Sequence, residues 1–390
     1  MPALRRITPA DRRARLAVRH LLHPAARAAR TEDVAETLVG LHATDAATVT
    51  LSASARLAEA ASGPADVDRA LYEDRTLLRM HCMRRTLFVV PADLAPVFHH
   101  ATPKSMAARE RATLVKHLAA AAPARDERWL DVAAAKALAA LAELGEASAP
   151  ELTEAVPELQ AKITLSPGKR YASTVRVGGE LLRLLAMEGK VSRGRPVGGW
   201  TSSRFRYHPA PELPGVDPAA AQADLVRRWL TAYGPGTEAD LKWWTGWTFR
   251  DVRRALARIE PEEVDLGEAG RGWDLDARTP REVTPWAAFL PGLDPATMGW
   301  QHRDFCLDPA HRPLLFDSAG NGGPTIWLDG HIVGTWAQRP TGELVRRLFT
   351  ESGADGTALI DAAQERLQTL LDAGELRVNF PAPLTKELLA

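Results

Sequence analysis

Between residues 126 and 214 the apolar spacing changes in an order that few folds satisfy. Asp131 to Leu144 is rich in Ala and Leu at helical intervals, and Ser148-Ala149-Pro150-Glu151 opens a second, short helix. Ser173 to Glu188 reads as a third helix, with Val177, Leu181, Leu182 and Leu185 spaced for one buried face and Gly189 at its end. Val191–Arg193 and Trp200–Tyr207 then read as two strands across the Gly/Pro loop 194–199. Three helices followed by a two-stranded wing is the pattern of a winged helix. Its third helix is the one offered to DNA, although such folds also serve as protein-interaction modules.

The same order returns further on. Asp217–Tyr233 and Thr248–Ile259 read as helices flanking a start at Thr237, where Asp240 completes a capping box, and 264–266 with 273–275 suggest a hairpin. Residues 1–125 read as mostly helical, with starts at Thr8-Pro9-Ala10-Asp11 and Thr31-Glu32-Asp33 and a buried strand over Thr86–Val90. From Val283 the pattern shifts to short strands and turns. Asp329-Gly330 lies between two apolar runs as a hairpin signal, a helix follows over 358–371, and Leu376-Arg377-Val378 forms a last strand. The expected architecture is α+β. Three tandem winged-helix domains span 1–125, 126–214 and 215–282, and a mainly β, barrel-like domain spans 283–390.

Charge narrows the function classes. The 390 residues carry 49 basic and 49 acidic side chains, which argues against an indiscriminate nucleic-acid binder. The distribution is uneven, however. Arginines crowd residues 1–30, and basic residues dominate 169–206, so a basic face on a neutral molecule is expected along one DNA-facing channel. The opposing reading pairs these arginines with acids from other segments. No apolar run approaches the ~18 residues of a membrane span, and the N-terminus lacks the apolar core of a signal peptide, so a cytoplasmic, nucleoid-associated monomer is expected. Cys82 and Cys306 lie far apart and read as two reduced, buried thiols, with no metal site and no cofactor.

The stretch Gly40-Leu41-His42-Ala43-Thr44-Asp45 sits between two apolar segments, and Gly40 allows close packing. On an extended backbone His42 and Thr44 share a face. Trapped polar groups of this kind are either satisfied core residues or site residues. The stretch resembles the AlkZ/YcaQ-like winged-helix DNA glycosylases, which carry Gly-Leu-Gln-x-Gln or Gln-x-Asp here. His42 and Thr44 stand at the two positions that act on the glycosidic bond, so both are substituted, which fits either a weakened activity or a subfamily with another substrate. Met83-Arg84-Arg85-Thr86-Leu87-Phe88 is similar to the family's Met-Arg-Gly-Thr-Leu-His. Tyr233-Gly234-Pro235, the paired Trp243-Trp244 and the Leu290-Pro291 to Asp294-Pro295 run also resemble it.

The resemblance implies a monofunctional DNA glycosylase acting on double-stranded DNA that carries a bulky, N7-alkylated purine. Repair of that kind protects producers of DNA-alkylating natural products. A guanine alkylated at N7 is already cationic and leaves without the acid that sugar hydrolysis needs. A neutral imidazole then suffices to accept from the attacking water, with Thr44 orienting it. Asp45 is the competing acidic group, or else a helix cap. An ordinary imidazole would lose this activity below about pH 6.5. No Lys adjoins the motif to form a Schiff base. The DNA-binding candidates are Arg84, Arg85, Lys169, Arg170, Arg176, Arg193, Arg195 and Arg204, with Arg84 and Arg85 open to a merely solvated reading. A non-catalytic winged-helix regulator and a protein-interaction scaffold are the alternatives.

Overall fold

The computed structural model describes residues 3–102, 104–169, 172–276, 283–371, 376 and 381–390, which leaves Arg170, Arg377 and Val378 outside. The N-terminal part runs β1 (Arg5–Arg6), α1 (Pro9–Arg19), α2 (Thr31–Thr37), β2 (Leu41–His42), α3 (Ala46–Ser54), α4 (Gly63–Asp68), β3 (Leu77–His81), β4 (Leu87–Pro91), α5 (Ala95–Ala101) and α6 (Ser105–Ala121). At the start of α1, Thr8 and Asp11 form the reciprocal cap and Pro9 takes the first position, where its missing N–H costs nothing. Antiparallel strands in the order β2-β4-β3 make a sheet between two apolar layers. Phe88 and Val90 face the largest core, while Leu41, Leu77, Leu87 and Val89 face a second one beneath α2 and α3. Successive strand residues point to opposite faces, so one short sheet serves both cores.

The next part runs α7 (Glu127–Leu144), β5 (Ala147–Ser148), α8 (Ala149–Ala155), β6 (Lys162–Leu165), β7 (Ser173–Arg176), α9 (Val177–Met187), β8 (Val191–Pro196) and β9 (Phe205–Pro209). It has its own core, drawn from Leu114 to Val191. Three helices and a terminal hairpin are present, and the order β5-β9-β8 repeats the topology of the first sheet. Two expectations are corrected here. Ser173–Arg176 is a strand and the helix begins only at Val177, because Thr174 and Val175 pair with β6 across the turn at Pro167-Gly168. β-Branched residues fit a pleated hairpin better than a helix. The second wing strand starts at Phe205, not Trp200.

The third part runs α10 (Pro218–Tyr233), α11 (Glu238–Thr245), α12 (Phe249–Ile259), β10 (Glu262–Asp265) and β11 (Arg271–Asp274). β1 adds to β10 in parallel. The N-terminal arginines follow it. Arg5 and Arg15 bind Asp274, Arg19 binds Asp276, and Arg12 is buried over the Phe305 ring. Three arginines of the expected N-terminal lining of a DNA channel, Arg5, Arg15 and Arg19, are thus held by carboxylates of the third part, and a fourth, Arg12, is buried.

The last part runs β12 (Ala287–Leu290), α13 (Pro295–Met298), α14 (Arg312–Leu315), β13 (Thr325–Leu328), β14 (His331–Gln338), β15 (Leu344–Leu348), α15 (Gly353–Leu371) and α16 (Pro383–Leu389). The strands form an open antiparallel meander with the Asp329-Gly330 turn as expected, and among the described residues they do not close into a barrel. α15 covers β12, so a helix takes the place of further strands. No helix among the described residues is long and apolar enough to cross a membrane.

One ion pair joins the ends of the chain. Arg56 and Asp294 are both 0% exposed and form two hydrogen bonds, Nη1 to Oδ2 at 2.8 Å and Nη2 to Oδ1 at 2.7 Å. Ser52 donates to the same carboxylate at 2.7 Å, and Arg56 Nε donates to the His20 carbonyl at 2.9 Å. Removing one member strands a buried charge, whereas removing both does not. Asp294→Ala is expected to lower unfolding free energy by about 3–5 kcal/mol. In urea unfolding, the Arg56→Met/Asp294→Leu pair should recover a large part of that loss.

Candidate active site

Gly40 has φ +90, and a Cβ there would meet Val90 Cγ1 at 3.1 Å and the Val89 carbonyl at 3.3 Å. Only glycine lets the chain leave α2 this close to β4. The next residues add to the sheet. Leu41 pairs with Val89 and His42 with Phe88, and Ala43 N–H donates to the Leu87 carbonyl at 2.8 Å. The chain bends at Thr44, so the extended run expected through Thr44 stops short of it. The sequence stretch holding His42 and the one holding Phe88 are thus direct neighbours.

His42 is buried, 5.2 Å from the Phe88 ring between centroids, and its Nδ1 has no hydrogen-bond partner. Thr44 is half-buried and its Oγ1 likewise has none. Neither atom has a partner within the protein, and buried groups of this kind are ordinarily satisfied by protein or water. Burial, aided by the positive charge of Arg84, pushes the His42 imidazole down to about 3. It therefore stays neutral across the whole physiological range. Asp45 is placed differently. It caps α3, accepting from Ala47 N–H at 3.1 Å. It also borders a cavity of about 20 Å³ shared with Thr48, Gly292 and Trp336, and such a volume admits one water.

A cationic and aromatic cluster stands beside the motif. Arg84 adopts φ 52 in the short turn 83–85, against Gly246, whose added Cβ would meet its Cγ at 3.2 Å. The Arg84 guanidinium lies 4.2 Å from the centre of the Trp243 ring, and that of the buried Arg303 lies 4.6 Å from it. Burial lowers both guanidiniums to about 10. Arg84 is thus a packed group near His42 rather than a freely solvated one. Arg85 points out and binds Glu110.

The other candidates do not converge on His42. Lys169 and Arg176 are exposed on the β6–β7 hairpin. Arg193, Arg195 and Arg204 lie on the β8–β9 hairpin, where Arg195 pairs with Asp68 at 2.9 Å. Arg56, Arg79 and Arg303 went unnoticed in the sequence. The available signal was a charge inside an apolar run, as in Leu77-Leu78-Arg79-Met80. Cys82 and Cys306 are free and buried, as expected. Among the described residues no cluster of His, Cys, Asp and Glu is arranged to hold a metal.

A mixed α+β chain with this polar motif against a strand defines a class that comparison makes specific. Residues 35–370 match the family model described as DNA glycosylase AlkZ-like, so the chain belongs to the AlkZ-like DNA glycosylase family and is an enzyme of that class. In fold it is similar to the Streptomyces sahachiroi DNA glycosylase AlkZ, with a TM-score of 0.69, 20% sequence identity, and coverage of 96% of this chain and 99% of that one. No curated protein matches it in sequence.

The imidazole's position sets a pH dependence. An unperturbed His would protonate near pH 6.5; His42, held down to about 3, keeps its lone pair well below that. An activity that depends on neutral His42, followed as single-turnover excision, is expected to stay level from pH 8 to 5, where an ordinary His would lose it near 6.5. Stability behaves otherwise. His42 and His81 are both pushed to about 3 by burial, so the unfolded chain binds protons the folded one refuses. Their contribution is intact above 6.5 and is lost as pH falls from there toward 3. Melting temperature should therefore fall over pH 6.5–4 while the excision rate at low temperature does not.

Proposed function

We propose that this protein hydrolyses the N-glycosidic bond of bulky, N7-alkylated purines in double-stranded DNA, acting as a monofunctional, monomeric glycosylase in repair of alkylation damage or self-resistance. The observation that carries this reading is that the motif leaves two polar atoms, His42 Nδ1 and Thr44 Oγ1, without a hydrogen-bond partner, with His42 paired to Phe88 of β4. The repeated three-helix-and-hairpin order, and the shared strand order of the first two sheets, support three winged-helix modules at 1–125, 126–214 and 215–282 ahead of the β domain.

The leaving group fits what this pair can do. An N7-alkylguanine is cationic, so its departure leaves positive charge on the sugar and needs no protonation by the protein. A weakly basic, buried imidazole acts best as a hydrogen-bond acceptor that fixes a water below C1′, and Thr44 supplies the second anchor. As the C1′–N9 bond breaks, the purine leaves as a neutral base, the water oxygen bonds to C1′, and its proton passes by way of His42 to solvent. Such assistance is worth roughly 10²–10⁴-fold, enough for a labile lesion and too little for an undamaged base. The exposed hairpin cations Lys169, Arg176 and Arg204, with no ion pairs among the described residues, supply phosphate contacts. Arg85, exposed but paired with Glu110, is a further candidate contact.

One observation favours a second assignment of the water. Asp45 borders the water-sized cavity, and its carboxylate could accept from a water held there. Single-turnover excision of an N7-alkylguanine, followed as abasic sites, separates the two. His42→Ala should slow excision by about 10²-fold, the lower end of the range for such groups, with duplex affinity nearly unchanged. Thr44→Ala should cost less, since water can replace one hydroxyl. Asp45→Asn should cost stability through the weakened cap, about 1 kcal/mol or less, and little rate. Full activity in a folded His42→Ala protein would hand the role to Asp45. Tight binding to one defined operator, with no base released from any N7-alkylguanine duplex, would instead mark a regulator.

A further inference from the structure

The face of the N-terminal sheet turned away from His42 carries a site of its own. Across the sheet, His42, Phe88 and Met80 form one row and Leu41, Val89 and Arg79 the next. Side chains of adjacent rows leave opposite faces, so Arg79 projects away from His42. There β8 packs against β3, and a cavity of about 490 Å³ opens between them.

Its cations are poorly compensated. Arg79 is 5% exposed, yet its Nε and Nη1 meet no acceptor. Its guanidinium lies 4.8 Å from the centre of the Phe205 ring, and Arg193 stands over the same ring at 5.2 Å. Tyr72 gives Arg79 some electrostatic support, while Arg193 works against it. Among the described residues no carboxylate pairs with Arg75, Arg79 or Arg193. Arg195 and Arg206 also line the space, but they are held by Asp68, Glu146 and Glu151. A buried cation is ordinarily paired. Ring faces compensate only part of that need, and they supply no lone pairs to N–H donors. The planar donor fork of arginine matches two oxygens of one phosphate.

We propose that this cavity binds a phosphate ester, with Arg79 and Arg193 as its donors and Arg75 at its edge. Resting on the glycosylase reading, the source is a backbone phosphodiester of the duplex, gripped by the β8–β9 hairpin on the side of the sheet away from the chemistry. A free phosphate-bearing ligand has the same chemistry, and the test separates the two. The purely structural alternative makes Arg79 a wedge beneath Phe205 that needs no anion.

The full-length protein, Arg79→Met and Arg193→Gln are melted in sodium phosphate and in sodium chloride at matched ionic strength. General stabilisation by phosphate is common to all three and drops out. The wild type should gain more from phosphate than either variant. Binding to an undamaged duplex is then titrated with salt, where the log–log slope of Arg193→Gln should be shallower by about 0.9, one phosphate contact. A phosphate-specific gain without a slope change assigns the site to a free phosphate-bearing ligand, while a slope change assigns it to the duplex. Equal gains in all three proteins together with equal slopes overturn the proposal. If Arg79→Met does not fold, Arg193→Gln decides alone. His42→Ala should keep the phosphate response, so failure of the catalytic assignment, read as undiminished excision, is distinct from failure here.

Discussion

The Arg56–Asp294 pair is the contact on which the geometry around the motif depends. Both groups are fully buried, so neither has water to fall back on. Arg56 follows the end of α3 and reaches the carbonyl of His20 just after α1, while Asp294 also caps α13 through Ala296 N–H. One carboxylate therefore ties two N-terminal helices to the loop that follows β12. Thr48, on the same helix, donates to the Gly292 carbonyl at 2.8 Å. Because α3 starts at Asp45, the lock that orients α3 also fixes where the chain emerges after His42 and Thr44.

Around that locked motif, burial first and the charge of Arg84 second keep the imidazole neutral. Arg84 and Arg303 both stack on Trp243, and burial weakens their hold on a proton without removing it. The positive charge of Arg84 adds to burial in opposing a cation at His42. In the basic N-terminus, Arg5, Arg15 and Arg19 pair with Asp274 and Asp276 and so stitch β1 and α1 to the third part.

Much of the architecture was legible because it rests on short-range rules. The caps at Thr8, Ser148 and Thr237 are reciprocal side-chain and backbone bonds within four residues, and all three form. The Asp329-Gly330 turn is a local demand for positive φ, and it too is met. The motif at Gly40–Thr44 stood out because polar groups interrupted two apolar runs. Where local preference was evenly balanced the reading failed, as at Ser173–Arg176, where pairing with β6 decided for strand over helix.

What the sequence determined by itself was several helices and their caps, the Asp329-Gly330 hairpin, the polar motif and the family, since each depends on residues close in the chain. Tertiary structure decided which charges are free. Whether an arginine meets a carboxylate, an aromatic ring or an empty cavity depends on segments that are distant in sequence, as Arg15 with Asp274, Arg56 with Asp294 and Arg79 with Phe205 show. Net charge and spacing carry no information about such partners. Burial likewise belongs to the fold alone, and burial turned His42 from a group expected to titrate near neutrality into one that stays neutral far below it.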